Sequence, residues 1–268
     1  MRGAFAHGMY SAGCLATAVT DAVGIESLAR FAVRFRAQAR LGAILTSKIV
    51  VSQRLSTDDG VTVELACEML DEQAAVIVTG SVVLKPSGSL PCSDEPAVST
   101  PVAGAELIGR RLAPAVVAVE RGPVQVFATA VGDDNPIYRS AQAAATAGLN
   151  GIPVPPTFVF ASAYWGIFAD AQPTPGDGAA TLVELIALLR NRRKGVVLHG
   201  EQEFAYHRPM RVGDVLHVEG FVEDVHKKPG DDSRPGMTLM VVRTDYRDAA
   251  AQLVTTARST FLFRPATR

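Results

Sequence analysis

The chain has few cysteines, and their number and spacing exclude two common kinds of structural cross-link. Only three cysteines occur among 268 residues, Cys14, Cys67 and Cys92. An odd number at such wide spacing gives neither a disulfide framework nor the paired spacing of a metal site. The sequence therefore predicts a protein of the reducing cytoplasm, with no bound metal and no cofactor.

The chain also lacks a surplus of charge. Its 26 basic and 27 acidic side chains give a net charge of −1. Proteins that bind nucleic acid usually present a strongly basic surface, so we expect no nucleic-acid partner.

A long uninterrupted apolar run is missing as well. The most membrane-like segment is residues 1–22, where Arg2 precedes many small apolar residues, but His7, Tyr10 and Ser11 interrupt it. Its apolar stretch is too short to cross a bilayer. Apolar residues at helical spacing instead predict an amphipathic first helix of the folded domain, with Gly24 as its end. We therefore expect no membrane span.

Alternating and branched residues predict a β-rich chain with few helices. In the first half, residues 29–36, 44–53, 61–69 and 74–84 have strand character. In the second half, strands are predicted at 115–120, 196–206, 215–225, 237–246 and 252–263. A helix followed by consecutive strands is an α+β pattern, in which the helix packs on an antiparallel sheet. Residues 157–169 predict a second, fully buried helix, with Tyr164 and Trp165 in the core.

The segment at residues 87–106 divides the chain, because its many prolines, serines and glycines cannot hold a regular ladder. We predict a domain at 1–86, a linker at 87–106 and a domain at 107–268. The two domains repeat each other: residues 35–42 match 206–213, and residues 73–86 align without gaps on 252–265. This favours an internal duplication. The second copy has a strand, a helix and a polar turn before its long helix, and the first copy lacks this front end.

The polar turn is GDDNPIYRS, at residues 132–140. Acceptor side chains followed by a proline are typical of a turn or a helix cap. Such a turn can also hold a carboxylate still for general acid–base chemistry. From the local residues alone, either Asp133 or Asp134 caps the helix that follows, or the turn holds a catalytic carboxylate.

Two motifs resemble those of MaoC-like (R)-specific enoyl hydratases and 3-hydroxyacyl-thioester dehydratases. The first is FAHGM at residues 5–9, and the second is GDDNPIY at residues 132–138. The resemblance implies a double hot-dog fold, in which a long antiparallel sheet wraps buried helices and the first copy lacks its front end. The first domain resembles the rear of the catalytic (HadB) subunit of mycobacterial-type dehydratases, and the second resembles the partner (HadA) subunit.

This resemblance implies reversible dehydration of (R)-3-hydroxyacyl thioesters of coenzyme A or acyl carrier protein in fatty-acyl metabolism. Asp133 falls on the family's catalytic aspartate and Asn135 on its turn residue, whereas Tyr138 occupies the position of the catalytic histidine. Tyrosine is a poor base at neutral pH, since its reference pKa is about 10. Catalysis in the second copy alone is therefore not expected.

The helix start of the first copy supplies the other candidates. His7 is a candidate catalytic residue or a helix cap, and backbone N–H groups of Gly8 or Met9 would polarise a thioester carbonyl. His199 is either a polar contact in the acyl tunnel or a buried, hydrogen-bonded strand histidine.

Two other functions remain open at this stage. The chain would be a non-catalytic acyl-binding subunit of a heteromeric dehydratase, with a hydratase partner subunit or a second copy of itself as partner. The second alternative is that the chain is a hot-dog thioesterase. This reading is disfavoured, because the first buried helix carries no clearly placed acidic residue except Asp21, near its end.

Overall fold

The computed structural model describes residues 4–57, 60–85, 104–176, 178–190, 194–230 and 236–266. Most of the linker predicted at residues 87–106 lies outside the described residues. The domain boundaries therefore stay predictions.

The described chain contains five α-helices and nine β-strands. The helices are α1 Gly8–Val23, α2 Arg121–Ala130, α3 Ala141–Thr146, α4 Phe158–Trp165 and α5 Leu182–Arg190. The strands are β1 Leu28–Phe35, β2 Thr46–Thr57, β3 Gly60–Leu70, β4 Val76–Leu84, β5 Ala115–Ala118, β6 Gly195–Tyr206, β7 Val215–Lys228, β8 Met237–Arg247 and β9 Leu253–Pro265. The predicted α+β class is confirmed.

All nine strands form one antiparallel sheet in the order β2-β3-β4-β1-β6-β9-β8-β7-β5. Read from one edge, the first copy has the order β2-β3-β4-β1. Read from the opposite edge, the second copy has the equivalent order β7-β8-β9-β6, and β5 lies outside β7 as an extra edge strand. The two copies meet where β1 pairs with β6, from Arg30 opposite Ala205 to Arg34 opposite Glu201. The sheet therefore shows the internal duplication that the sequence predicts.

Helix α1 lies in the main core because one of its faces is made of small and aliphatic side chains. Ala12, Leu15, Ala16 and Val19 are fully or almost fully buried. The helix ends at Gly24, whose φ of 77° is a left-handed conformation that glycine adopts without strain. Both predicted features of this helix, its amphipathic pattern and its end, are confirmed.

Helix α4 is shorter than predicted, and its last three residues are exposed. It ends at Trp165, which is 42% exposed, and Tyr164 is 75% exposed. The chain turns away here because the N–H of Ala118 donates to the carbonyl of Gly166 at 2.9 Å, which ties this point to β5. The prediction that Tyr164 and Trp165 belong to the core is therefore wrong.

A β-bulge in β6 changes the direction of its side chains. The pairing with β9 shifts between His199 and Glu201, so Gly200 is the extra residue. Because of this extra residue, both His199 and Gln202 point to the concave face, although they are three positions apart. A Cβ on Gly200 would lie 2.6 Å from side-chain atoms of Leu262. The bulge thus requires a glycine at this position.

Gly13 allows α1 to approach the front end of the second copy closely. A Cβ on Gly13 would lie 2.5 Å from Cγ1 of Val131, the residue that ends α2. Val131 is branched and 5% exposed, so it has little room to move. This contact sets the position of α1 against the segment that carries the polar turn.

We predict that Gly13→Ala lowers the free energy of unfolding by about 1–3 kcal/mol, the usual range for overpacking a core. The matched control is Gly122→Ala in α2, where no atom lies within 4 Å of the new Cβ. Because alanine favours helix, this control is expected to be neutral or stabilising by up to about 1 kcal/mol. Chemical denaturation of both variants measures the difference, and equal effects would contradict the contact with Val131.

Candidate active site

The polar turn at residues 132–140 is held by its own side chains. The N–H of Asn135 donates to Oδ1 of Asp133 at 3.0 Å, and the N–H of Ile137 donates to Oδ1 of Asn135 at 3.2 Å. The following helix α3 is capped by Ser140, whose Oγ accepts from the N–H of Ala143 at 3.2 Å. Asp133 is therefore a turn residue and not the cap of α3, which resolves one alternative that the sequence left open.

Arg139 holds the turn against α2. Its guanidinium donates to the carbonyl of Asp133 at 2.8 Å and to Oγ1 of Thr129 at 3.3 Å. It also meets Asp134 at 3.3 Å, but that carboxylate is 97% exposed. Of the two adjacent aspartates, only Asp133 faces the interior.

Asp133 and Tyr138 form a buried pair, which we call the loop site. Each is only 1% exposed. Within the described part of the chain, neither Oδ2 of Asp133 nor the hydroxyl of Tyr138 has a hydrogen-bond partner. Burial raises the pKa of Asp133, and Asp21 of α1 raises it further. Burial also raises the pKa of Tyr138, and the charge of Asp133 adds to the effect.

The structure does not bring Asp133 and His7 together. Asp133 and Tyr138 interact with the second half of α1, at Thr17, Thr20 and Asp21. His7 precedes the first residue of α1, and ten residues of helix separate its level from Thr17, a rise of about 15 Å. The two predicted catalytic residues therefore lie in different places.

His7 belongs to a second group of residues at the start of α1. It is exposed, and its Nδ1 accepts from the N–H of Met9 at 3.2 Å, so it is the N-cap of the helix. Because Nδ1 accepts this hydrogen bond, the neutral form of His7 carries its proton on Nε2. Nε2–H can then donate a hydrogen bond to a ligand. Gly8 lies against the ring of Phe35, 3.0 Å from the position of a Cβ. Met9 is buried in the core.

His199 lies deeper in the same group. Its ring stacks on Phe160 and Phe261, with centroid distances of 5.6 and 5.3 Å, and meets the edge of Phe35 at 5.2 Å. The ring of Phe160 is also 6.2 Å from that of His7. We use the name histidine site for the five residues His7, Phe35, Phe160, His199 and Phe261.

His199 is a neutral imidazole with one nitrogen unused. Burial lowers the pKa of His199 to about 4, and the neighbouring His7 contributes to the decrease. The backbone of Glu201 and the side chain of Gln202 oppose this shift, as hydrogen-bond acceptors for the ring would. Among the described residues, Nε2 has no hydrogen-bond partner. Nδ1 is therefore assigned as the donor and Nε2 as the bare acceptor.

The sequence identified both histidines but not their surroundings. Phe35, Phe160 and Phe261 come from β1, α4 and β9, and no spacing in the chain predicts that they meet. A glycine in the middle of a strand pattern, Gly200, was the one local signal of a bulge beside a site. Asn135 supports only the turn, and it is not in contact with the histidine site.

The described residues show neither a metal centre nor a membrane helix. No three His, Cys, Asp or Glu side chains within these ranges come together as metal ligands. Among the same residues, no helix combines the length and apolar character that crossing a bilayer requires.

The second copy matches a known protein family along its length. Residues 106–257 match the family described as "FAS1-like, dehydratase domain region". A "UPF0336 protein" of Streptomyces avermitilis is 34% identical over 148 residues, which are 55% of this chain and 85% of that protein.

Solved structures agree at the level of the fold. A "MaoC domain protein dehydratase" from Chloroflexus aurantiacus J-10-fl gives a TM-score of 0.64 at 11% identity, covering 100% of this chain and 84% of the other. A Mycobacterium tuberculosis protein with a double hotdog fold gives 0.59 at 15% identity, covering 98% and 83%. The predicted resemblance to MaoC-like dehydratases and the double hot-dog fold are confirmed, and a general dehydratase role is supported.

We predict that Asp133→Asn changes stability in a pH-dependent way. Because the folded-state pKa of Asp133 is raised, ionisation costs stability as pH rises from the unfolded value near 4 towards the folded value. The asparagine cannot ionise, so its stability relative to the natural protein should increase over this pH range and then stay constant. Urea denaturation at pH 4 and pH 7.5 measures this, and a difference independent of pH would contradict a raised pKa.

Proposed function

Because the chain belongs to the FAS1-like dehydratase domain region family, we propose that it is a hydro-lyase of fatty-acyl metabolism in the cytoplasm. It would interconvert (R)-3-hydroxyacyl and enoyl thioesters of coenzyme A or acyl carrier protein. The family match and the retained Asp-x-Asn-Pro turn support this reaction class. The free thiols of Cys14 and Cys67 suit a reducing compartment.

We place the chemistry at the histidine site and not at the loop site. The observation that carries this placement is Nε2 of His199, a bare acceptor beside His7. The loop site differs in its acid–base groups, since burial raises the pKa of Asp133 and of Tyr138, so that both hold their protons more strongly than usual. A general base must be unprotonated before it removes a proton; burial keeps the imidazole of His199 in that form, whereas it keeps Tyr138 protonated, which favours His199.

The proposed dehydration needs one base and two hydrogen-bond donors. Nε2 of His199 takes the proton from C2 of the substrate, the C2–C3 double bond forms, and the C3–O bond breaks. The departing hydroxyl receives this same proton from His199 and leaves as water, so the imidazole is neutral again. Nε2–H of His7 donates to the hydroxyl oxygen during this step. The backbone N–H of Gly8, at the start of α1, polarises the thioester carbonyl.

Phe160 controls access in this scheme. Its ring contacts both imidazoles, with centroid distances of 6.2 Å to His7 and 5.6 Å to His199, so a substrate that contacts both histidines would have to pass it. The ring belongs to α4 close to the exposed Tyr164, 6.4 Å away, where the helix approaches the surface.

A second candidate function is a non-catalytic acyl-binding subunit, with a hydratase subunit or a second copy of this chain as partner. The observation that favours it is Tyr138, which replaces the catalytic histidine of the resembled family. Such a subunit would bind acyl thioesters without turning them over. It would also co-purify with a chain that carries an intact Asp-x-Asn-Pro-x-His turn.

We predict that the chain hydrates crotonyl-CoA and that His199→Gln lowers kcat/KM by about 10²–10⁴-fold, the usual contribution of a general base. His7→Gln is expected to lower it less, because His7 only donates a hydrogen bond. The matched control His217→Gln, at an exposed position of β7, should have no effect. Steady-state kinetics that follow the ultraviolet absorbance of the enoyl thioester would measure both parameters.

Each contrary outcome has a separate meaning. Full activity of His199→Gln together with loss of activity in Asp133→Asn would move the chemistry to the loop site. Absence of turnover, both alone and with a candidate partner subunit, would reject the enzyme and leave the acyl-binding subunit. Hydrolysis of acyl-CoA in place of hydration would indicate the thioesterase.

A further inference from the structure

A buried glutamine, Gln202 of β6, lies beside the histidine site and takes no part in the proposed reaction. It is 1% exposed, opposite Val33 of β1 on one side and Ser259 of β9 on the other. The bulge at Gly200 turns its side chain to the same face of the sheet as His199. A buried amide costs free energy unless its polar atoms find partners. A leucine would fill this space without that cost, so the amide indicates a role in the site.

Two hydrogen bonds fix which end of this amide is the oxygen. One end donates to the backbone carbonyl of Glu203 at 3.1 Å, and a carbonyl only accepts, so that end is Nε2. The other end, Oε1, accepts from the hydroxyl of Ser259 at 2.7 Å. An amide oxygen has two lone pairs, and Ser259 uses one of them. The second lone pair is available to another donor.

The ring of His199 supplies this donor. Burial lowers the pKa of His199 to about 4, whereas hydrogen bonds with the backbone of Glu201 and the side chain of Gln202 act in the opposite direction. Nε2 of the ring has no hydrogen-bond partner among the described residues, so the nitrogen that makes these contacts is Nδ1. Because Oε1 of Gln202 only accepts, Nδ1 carries the proton.

The aromatic neighbours hold the plane of the imidazole but not the place of its proton. Phe160 and Phe261 stack on the ring with interplanar angles of 24° and 23°. Their side chains have neither a donor nor an acceptor nitrogen or oxygen, so both tautomers of His199 satisfy them equally. The choice between the tautomers therefore depends on the polar groups at Nδ1.

We propose that Gln202 is a positioning residue, which holds His199 in the tautomer with its proton on Nδ1 and Nε2 free, and that Ser259 orients Gln202. In the other tautomer Nε2 carries a hydrogen and cannot take a proton from the substrate. The effect on catalysis rests on the proposed function, whereas the tautomer of the free protein does not. Neither Gln202 nor Ser259 contacts the substrate in this scheme.

Nitrogen-15 NMR of the imidazoles in the whole chain tests the tautomer in the absence of substrate. At pH 7 we expect His199 of the natural protein to show one protonated nitrogen, Nδ1. Gln202→Leu keeps most of the volume and removes the acceptor, so both tautomers should be populated. Ser259→Ala should have the same effect to a smaller extent. The matched control Gln53→Leu, at an exposed position of β2, should leave the His199 signals unchanged.

Gln202→Glu tests the same contact by adding a charge. A carboxylate that accepts from Nδ1–H stabilises the imidazolium, so the pKa of His199 should rise from about 4 by about one unit or more. The charge of His7 also acts on this ring, and its titration is followed in the same spectra. The carboxylate of Glu201 pairs with Arg34 at 2.6 Å in every variant, so it does not distinguish them.

Hydration of crotonyl-CoA measures the catalytic effect separately. Gln202→Leu should lower kcat about 3–10-fold, the loss expected for one hydrogen bond, with little change in KM. In Gln202→Glu, the acid limb of the kcat profile should move to higher pH together with the pKa of His199.

The inference is overturned if His199 keeps the natural tautomer in both Gln202→Leu and Ser259→Ala. If the tautomer changes as expected but the natural protein has no hydratase activity, the inference stands and the proposed function fails. Thermal unfolding checks the fold of each variant. Should Gln202→Leu not fold, Ser259→Ala alone decides between these outcomes.

Discussion

The pairing of β1 with β6 is the interaction on which the rest of the structure depends. It joins a four-stranded half and a five-stranded half into one sheet, and side chains of α1 and α4 lie in one core cluster against it. Two ion pairs cross the junction on its outer face, Arg30 with Glu203 and Arg34 with Glu201, and exposed pairs of this kind contribute little. The stability of the junction therefore comes mainly from backbone hydrogen bonds and from the helices that it allows both copies to bury.

Burial distinguishes the two candidate sites. In the loop site, helix α1 of the first copy covers the polar turn of the second copy. Asp133 is therefore shielded from solvent. In the histidine site, His7 is exposed at the start of the same helix, whereas Nε2 of His199 is buried. One helix thus contributes to an enclosed site along its second half and, at its start, to a site in which only His7 is exposed.

Much of the fold could be predicted from the sequence, because local patterns determine it. The repeated segments at 73–86 and 252–265 became the equivalent strands β4 and β9, and Gly24 ended α1 as expected. The sites could be predicted only in part. The separation of Asp133 from His7, the enclosure of His199 and the early end of α4 result from contacts between distant segments, which no local pattern encodes.

Our central proposal is that the acyl thioester binds at His7 and His199. NMR of the imidazole side chains during titration with an unreactive acyl-CoA thioether tests it most directly. The account predicts that the His7 and His199 signals shift with saturation, that those of His207, His217 and His226 do not, and that free His199 stays neutral down to about pH 4. Saturable binding that leaves both signals unchanged, or a His199 that titrates near its ordinary value, would contradict the account.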